Sequence, residues 1–147
     1  MNTKRSLGAG EGTAADVEAD LAGRLAKLSG MMARGATADE VVDFLYWPEI
    51  VVAGEGLGKA YRGFAELRPL LREFLGHLGT DCSWTITDPV VTSGDVASTL
   101  IQVTCRYGGK QPDANYCVVY VWHRRANEWK VVHELVCVGV LKDSAKA

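Results

Sequence analysis

The run Trp129-Lys-Val-Val-His-Glu-Leu-Val-Cys-Val-Gly-Val-Leu141 carries apolar side chains on both of its sides. Successive residues of an extended strand point to opposite faces. Val131, Leu135, Cys137 and Leu141 therefore point one way, and Val132, Val136, Val138 and Val140 the other. A strand apolar on both faces has to be covered on both. The chain's own helices can supply one cover, and a second subunit is the expected source of the other. The preceding stretch completes a long hairpin, 114–125 and 128–141, joined by a tight turn at Ala126-Asn127. His133 and Glu134 are the only ionisable residues between Val131 and Leu141. As neighbours on a strand they face opposite ways, so they do not form one dyad.

Length and charge narrow the class. A chain of 147 residues fits one domain with a core of its own. Sixteen basic against 18 acidic residues, with no basic stripe, argue against nucleic-acid binding. No apolar run approaches the ~18 residues of a membrane span. The start, Met1-Asn-Thr-Lys-Arg-Ser-Leu-Gly, lacks the apolar segment of a secretory signal. The four cysteines, Cys82, Cys105, Cys117 and Cys137, lie singly in strand-like segments. Reduced thiols packed as small core residues, in a cytoplasmic protein, are the expectation. Clustered zinc ligands are lacking, so no metal is expected.

Along the chain, residues 1–13 read as a disordered tail, 14–141 as a single domain and 142–147 as a C-terminal tail. Thr13 with Asp16 resembles a capping box, and Val17, Leu21, Leu25, Leu28 and Met32 follow at helical spacing up to Gly35. Thr37 and Glu40 open a second, short helix that Pro48 ends. A strand is predicted over 50–53 and a third helix over 64–78, with a kink or late start at Pro69. Alternation at Cys82, Trp84 and Ile86 marks a strand, followed by a turn over 92–95 and another strand over 96–107. Three helices and then a meander of strands make an α+β fold, with helices on one face of an antiparallel sheet.

The segments Phe44-Leu-Tyr-Trp-Pro-Glu-Ile-Val-Val52, Gly54-Glu-Gly56 and Tyr61-Arg-Gly-Phe-Ala-Glu-Leu67, together with Trp129-Lys-Val-Val-His-Glu134, resemble the SnoaL-like branch of the nuclear-transport-factor-2-like, or ketosteroid-isomerase-like, superfamily. The likeness spans roughly residues 14–141. It implies a cone of three helices against a strongly curved sheet, a pocket between them, and a homodimer across the sheet's outer face. The steroid isomerases of that group place a general-base aspartate where Gly54 stands here. Their oxyanion tyrosine falls near Gly30 or Met31, and their protonated second acid at Val121. None of the three roles is filled, so ketosteroid isomerisation is not expected.

Pairing the hairpin through Ala126-Asn127 sets Glu134 opposite Val119 and His133 opposite Tyr120. Glu134 then shares a face with Cys117, Val119, Val121, Val136 and Val138, the face that the resemblance turns toward the pocket. A carboxylate ringed by valines is desolvated, its pKa rises, and it becomes a usable acid or base near neutrality. Pairing with an arginine is its structural alternative. Glu55, in the glycine-rich loop, is a second candidate, with an ordinary exposed glutamate as the alternative. His133 falls on the dimer side and moves into the pocket if the register slips by one residue. Tyr46, Trp47 and Trp84 are candidates for an apolar pocket wall, or plain core residues, and Tyr61 for a hydroxyl at the mouth. Metal chemistry by His133 and Glu55 is disfavoured by their faces. Two functions follow: a cofactor-independent isomerase, cyclase or lyase acting on an apolar small molecule, or a non-catalytic homodimer that binds a hydrophobic ligand or partner protein.

Overall fold

The computed structural model describes residues 13–141, so the predicted tails, apart from Thr13, lie outside the described residues. Both capping boxes form. In α1 (Ala14–Ala33) Thr13 and Asp16 satisfy each other's backbone N–H, and in α2 (Ala38–Leu45) Thr37 and Glu40 do the same. The apolar stripe of α1, from Val17 to Met32, is buried. Gly35 follows the helix with φ +77°, a conformation that costs glycine little.

The second helix stops at Leu45, and strand β1 (Tyr46–Gly54) begins at once, four residues before the expected Ile50. Pro48 therefore lies inside a strand. It sits where the β1–β7 register shifts between Tyr46 and Val51, so its missing N–H breaks no regular ladder bond. After β2 (Tyr61–Arg62), helix α3 (Gly63–His77) starts early rather than late and runs on past Pro69. Its start is set by Gly63, at φ +77°, and by Glu66, whose carboxylate accepts the Arg62 N–H at 2.8 Å.

Strands β3 (Asp81–Ile86), β4 (Val91–Ser93), β5 (Val96–Arg106), β6 (Ala114–Arg125) and β7 (Glu128–Val138) complete the fold. The sheet runs β2-β1-β7-β6-β5-β3, with β4 paired to β5, and it is mixed rather than antiparallel because β1 lies parallel to β7. Strand β7 ends at Val138, three residues short of the expected Leu141, and Gly139 follows at φ +128°. At the hairpin tip Ala126 and Asn127 have φ +50° and +64°, the two left-handed residues of a hairpin turn whose twist matches the strands.

The three helices cover one face of the sheet. That inner face presents Ala97, Ile101, Val103 and Cys105 of β5 and Val118, Tyr120 and Trp122 of β6, all buried. Thr99, the buried polar residue there, accepts the Trp122 indole N–H at 2.9 Å. All four cysteines are free thiols. Cys82 and Cys105 are core residues as expected, Cys117 is half-buried, and Cys137 is exposed on the outer face.

Candidate functional site

One bulge sets the site. From the tip, Arg125 pairs with Glu128, and the ladder stays regular as far as Trp122 opposite Val131. The next pair is Val121 with His133, so Val132 is an extra residue on β7. The bulge places Glu134 opposite Tyr120, and His133 opposite Val121, one step away from the expected register. It also lets Trp129, Val131, Glu134 and Val136 all face the helices. Without it, the residues after Val131 would exchange faces. The face of β6 that lines the interior is likewise that of Tyr120 and Trp122, not that of Val119 and Val121. The two corrections cancel for Glu134, which points inward. They do not cancel for Val119, Val121 and Cys117, which stand on the outer face.

Glu134 is half-buried, and its carboxyl meets an apolar cavity between the sheet and α3. The cavity has an inner compartment of about 60 Å³ and an outer one of about 100 Å³. Both are walled by Leu71, Phe74, Tyr116, Glu134 and Val136. The inner compartment adds Tyr46, Trp84, Val118 and Tyr120, and the outer one Val52, Leu57, Leu70, Val138 and Glu55. Together they are on the scale of the ~150 Å³ engineered cavity that admits benzene.

Tyr46, on the first residue of β1, donates its hydroxyl to Glu134 Oε1 at 2.6 Å. Tyr120 and Trp84 stand on the same wall of the inner compartment as Tyr46 and Glu134. Burial pushes the Glu134 carboxyl up to about 7, against the opposing pull of the Tyr46 hydrogen bond. Both tyrosines are raised well above their ordinary range, first by burial and then by the neighbouring carboxylate. Near neutrality the carboxyl group can therefore hold or release a proton while its two phenolic neighbours stay protonated. That is the behaviour of a general acid or base.

The other candidates separate cleanly. Tyr46, Trp84 and Val136 line the cavity with Glu134. Glu55 is exposed at the outer rim, where its Oε1 accepts the Val138 N–H at 2.8 Å while its own N–H donates to the Val136 carbonyl at 2.9 Å. It anchors β7. Trp47 does not line the cavity: its indole N–H donates to the His123 carbonyl at 2.7 Å, and Arg125 and Lys130 lie over its ring. Tyr61 is also outside, with the Lys59 ammonium 4.7 Å from its ring centre. Val119 and His133 lie in a shallow recess on the outer face with Val51, Ala53, Val121 and Leu135. Among the described residues no group of three His, Cys, Asp or Glu side chains could hold a metal ion, and no helix is long and apolar enough to cross a membrane.

Sequence reasoning missed Tyr120 as a site residue, because an unbulged hairpin turned it outward. It also gave Leu71 and Phe74, within the predicted third helix, no part in the site. The signal for Tyr120 was its place on the alternate positions of the strand that also carry Tyr116 and Trp122. Gly54, where the resemblance puts a catalytic aspartate, has a clear physical reason to be glycine. A Cβ there would stand 2.4 Å from the Val136 carbonyl oxygen.

No protein-family model matches this sequence, and no curated protein sequence matches it either. Solved structures do. A nuclear-transport-factor-2-like protein of unknown function from Pseudomonas putida KT2440 superposes with a TM-score of 0.68 at 14% identity, over 92% of this chain and 96% of that one. A putative calcium/calmodulin-dependent protein kinase II association domain from Xanthomonas campestris gives 0.64 at 19% identity, over 94% and 95%. A putative ketosteroid isomerase from Parabacteroides distasonis gives 0.58 at 14% identity, over 78% and 86%. At such identities the likeness speaks for the fold, and the fold of this chain is that of the nuclear-transport-factor-2-like superfamily.

Proposed function

We propose that the protein is a cofactor-independent enzyme of the isomerase, cyclase or lyase kind, from the SnoaL-like branch of the superfamily and working in the cytoplasm. Glu134 transfers a proton to or from a small apolar substrate that carries a carbonyl or similar group. Tyr46 is a positioning residue, holding the carboxylate through its hydroxyl. Trp84, Val136 and Phe74 supply the apolar wall. The observation that carries this reading is the 2.6 Å Tyr46–Glu134 hydrogen bond inside a cavity walled by aliphatic and aromatic side chains. Glu55 is exposed and holds a backbone N–H, which favours an anchoring role over a chemical one.

The test uses Glu134→Gln against a panel of small α-acidic ketones and cyclisable carbonyl compounds. General acid–base catalysis contributes ~10²–10⁴-fold, and a loss of that size is expected. At pH 4, where the carboxyl is mostly neutral in the folded and unfolded chain alike, the melting temperature should be unchanged. Equal turnover in the variant would sink the assignment.

A second reading is favoured by a separate observation, the apolar outer face. Leu135 is 51% exposed there, beside Val119, Val121, Val51 and Ala53. That face suits a second copy of the chain, giving a homodimeric module that binds a hydrophobic ligand without turning it over. In that case Glu134→Gln leaves ligand affinity intact at pH 6.

A further inference from the structure

The four cysteines are separate in sequence, but the sheet sets them in two directly opposed pairs. Cys82 faces Cys105 across β3 and β5, and Cys117 faces Cys137 across β6 and β7. Directly opposed residues of an antiparallel ladder have Cα atoms about 4.5 or about 5.5 Å apart. A disulfide spans about 4.4–6.8 Å between Cα atoms. Either pair therefore has the Cα spacing that a disulfide spans.

The pairs differ in access. Cys82 and Cys105 are 5% and 0% exposed, and burial pushes both thiols up, which suppresses the reactive thiolate. Cys137 is exposed on the outer face, and Cys117 beside it is half-buried. The Cys117 thiol donates to the Gly139 carbonyl at 3.3 Å, and burial followed by the neighbouring Cys137 raises its pKa. An open thiol next to a sheltered one is the arrangement of an attacking and a resolving cysteine.

We propose that Cys117 and Cys137 form a reversible cross-strand disulfide by exchange with low-molecular-weight disulfides such as oxidised glutathione. The Cys137 thiolate attacks one sulfur of the oxidant, forming a mixed disulfide and releasing one glutathione thiolate. Cys117, as its thiolate, then attacks the Cys137 sulfur and releases the second. Two protein thiols lose two electrons and two protons, and one oxidant disulfide becomes two thiols. The link acts on the cavity mouth: Cys137 lies between Val136 and Val138, and Cys117 follows Tyr116, all three of them lining the outer compartment. The closed form ties together the β6 and β7 ends that carry these walls. Nothing in this step requires Glu134.

The experiment equilibrates the full chain with mixtures of oxidised and reduced glutathione, quenches by alkylation, and maps peptides without reduction. The expected product is a monomeric, internally linked chain that has lost two hydrogens, with Cys117 joined to Cys137 and with Cys82 and Cys105 free. Hydrogen exchange across residues 135–139 should slow in that form. Cys117→Ser should leave a stable glutathione adduct on Cys137, and Cys137→Ser should leave Cys117 unmodified. The proposal falls if the wild-type chain stops at the Cys137 adduct, if the link joins two chains, if Cys82–Cys105 closes first, or if no thiol reacts.

Discussion

Glu134 and His133 are consecutive residues on one strand, and the sheet puts them in different surroundings. Glu134 faces a cavity of aliphatic and aromatic walls, with one phenol at 2.6 Å as its partner. His133 is exposed in an open recess on the other face. Residue type alone would have favoured the imidazole, since histidine titrates near neutrality unaided. The structure brings the Glu134 carboxyl into that range, because burial raises it to about 7. Chemistry here follows from the surroundings a face provides more than from the side chain a strand carries.

The largest expected effect strikes where the inner face is most tightly built. Gly54 lies alongside Val136, and any Cβ there meets backbone rather than a yielding side chain. Gly54→Ala should cost more than about 3 kcal/mol, the upper end of ordinary overpacking, as read from denaturant unfolding. Strand β1 would have to move away from β7 and give up the Glu55 N–H bond to the Val136 carbonyl. Restoring the steroid isomerases' base as Gly54→Asp should therefore unfold the protein rather than confer activity. A folded Gly54→Ala variant of native stability would show that the two strands are looser than their spacing implies.

Next comes the pH dependence of stability. The folded carboxyl of Glu134 titrates near 7, and an unperturbed glutamate near 4.3. Between those values the folded state holds a proton that the unfolded chain has lost, so stability falls as pH rises through that window. The full difference corresponds to roughly 4 kcal/mol as an upper bound, present below the window and gone above it. Glu134→Gln should remove this slope and be the more stable protein at pH 8.5, although not at pH 4, when melting is followed at both. Parallel pH profiles for the two proteins would mean that Glu134 is solvated.

A smaller effect separates Tyr46 from the rest of the cavity wall. Its hydroxyl lowers the Glu134 pKa, in opposition to burial. Tyr46→Phe should therefore move the Glu134 titration to higher pH, as followed by carbon NMR of the labelled carboxyl. Tyr120→Phe should move it less, since Tyr46, not Tyr120, donates to the carboxylate. A downward or absent shift in Tyr46→Phe would show that the phenol is merely packed there.

Much of this arrangement could be read from residues in order. Both capping boxes, the buried stripe of α1, the hairpin tip and the two-sided apolar character of β7 are local patterns, fixed by neighbours three or four positions apart. The inward carboxylate of Glu134 was also legible, although through a register that the structure corrects. Val132 shows why: a bulge is one extra residue with no compositional mark, and valine fits a regular strand as well as a bulged one. The parallel β1–β7 pairing and the cross-strand cysteines depend on contacts between residues dozens of positions apart. Trp47 falls outside the cavity for a related reason, since its ring lies under Arg125 and Lys130, cations that a linear reading does not bring near.

The smallest effect tests the outer face by itself. Leu135 lies one residue from Glu134 but on the opposite side, 51% exposed beside Val119 and Val121. In a lone chain, Leu135→Gln removes apolar surface that water already touches, and stability should change by no more than about 0.5 kcal/mol. If a second copy covers the face, the same change sets an amide against apolar side chains and the assembly should weaken, as seen by sedimentation across a dilution series. The Glu134 titration should be untouched either way, because the sheet backbone lies between the two groups. A Leu135→Gln variant with unaltered self-association would show that a partner, if there is one, sits elsewhere, while a shifted Glu134 titration would show that the two faces are coupled through β7.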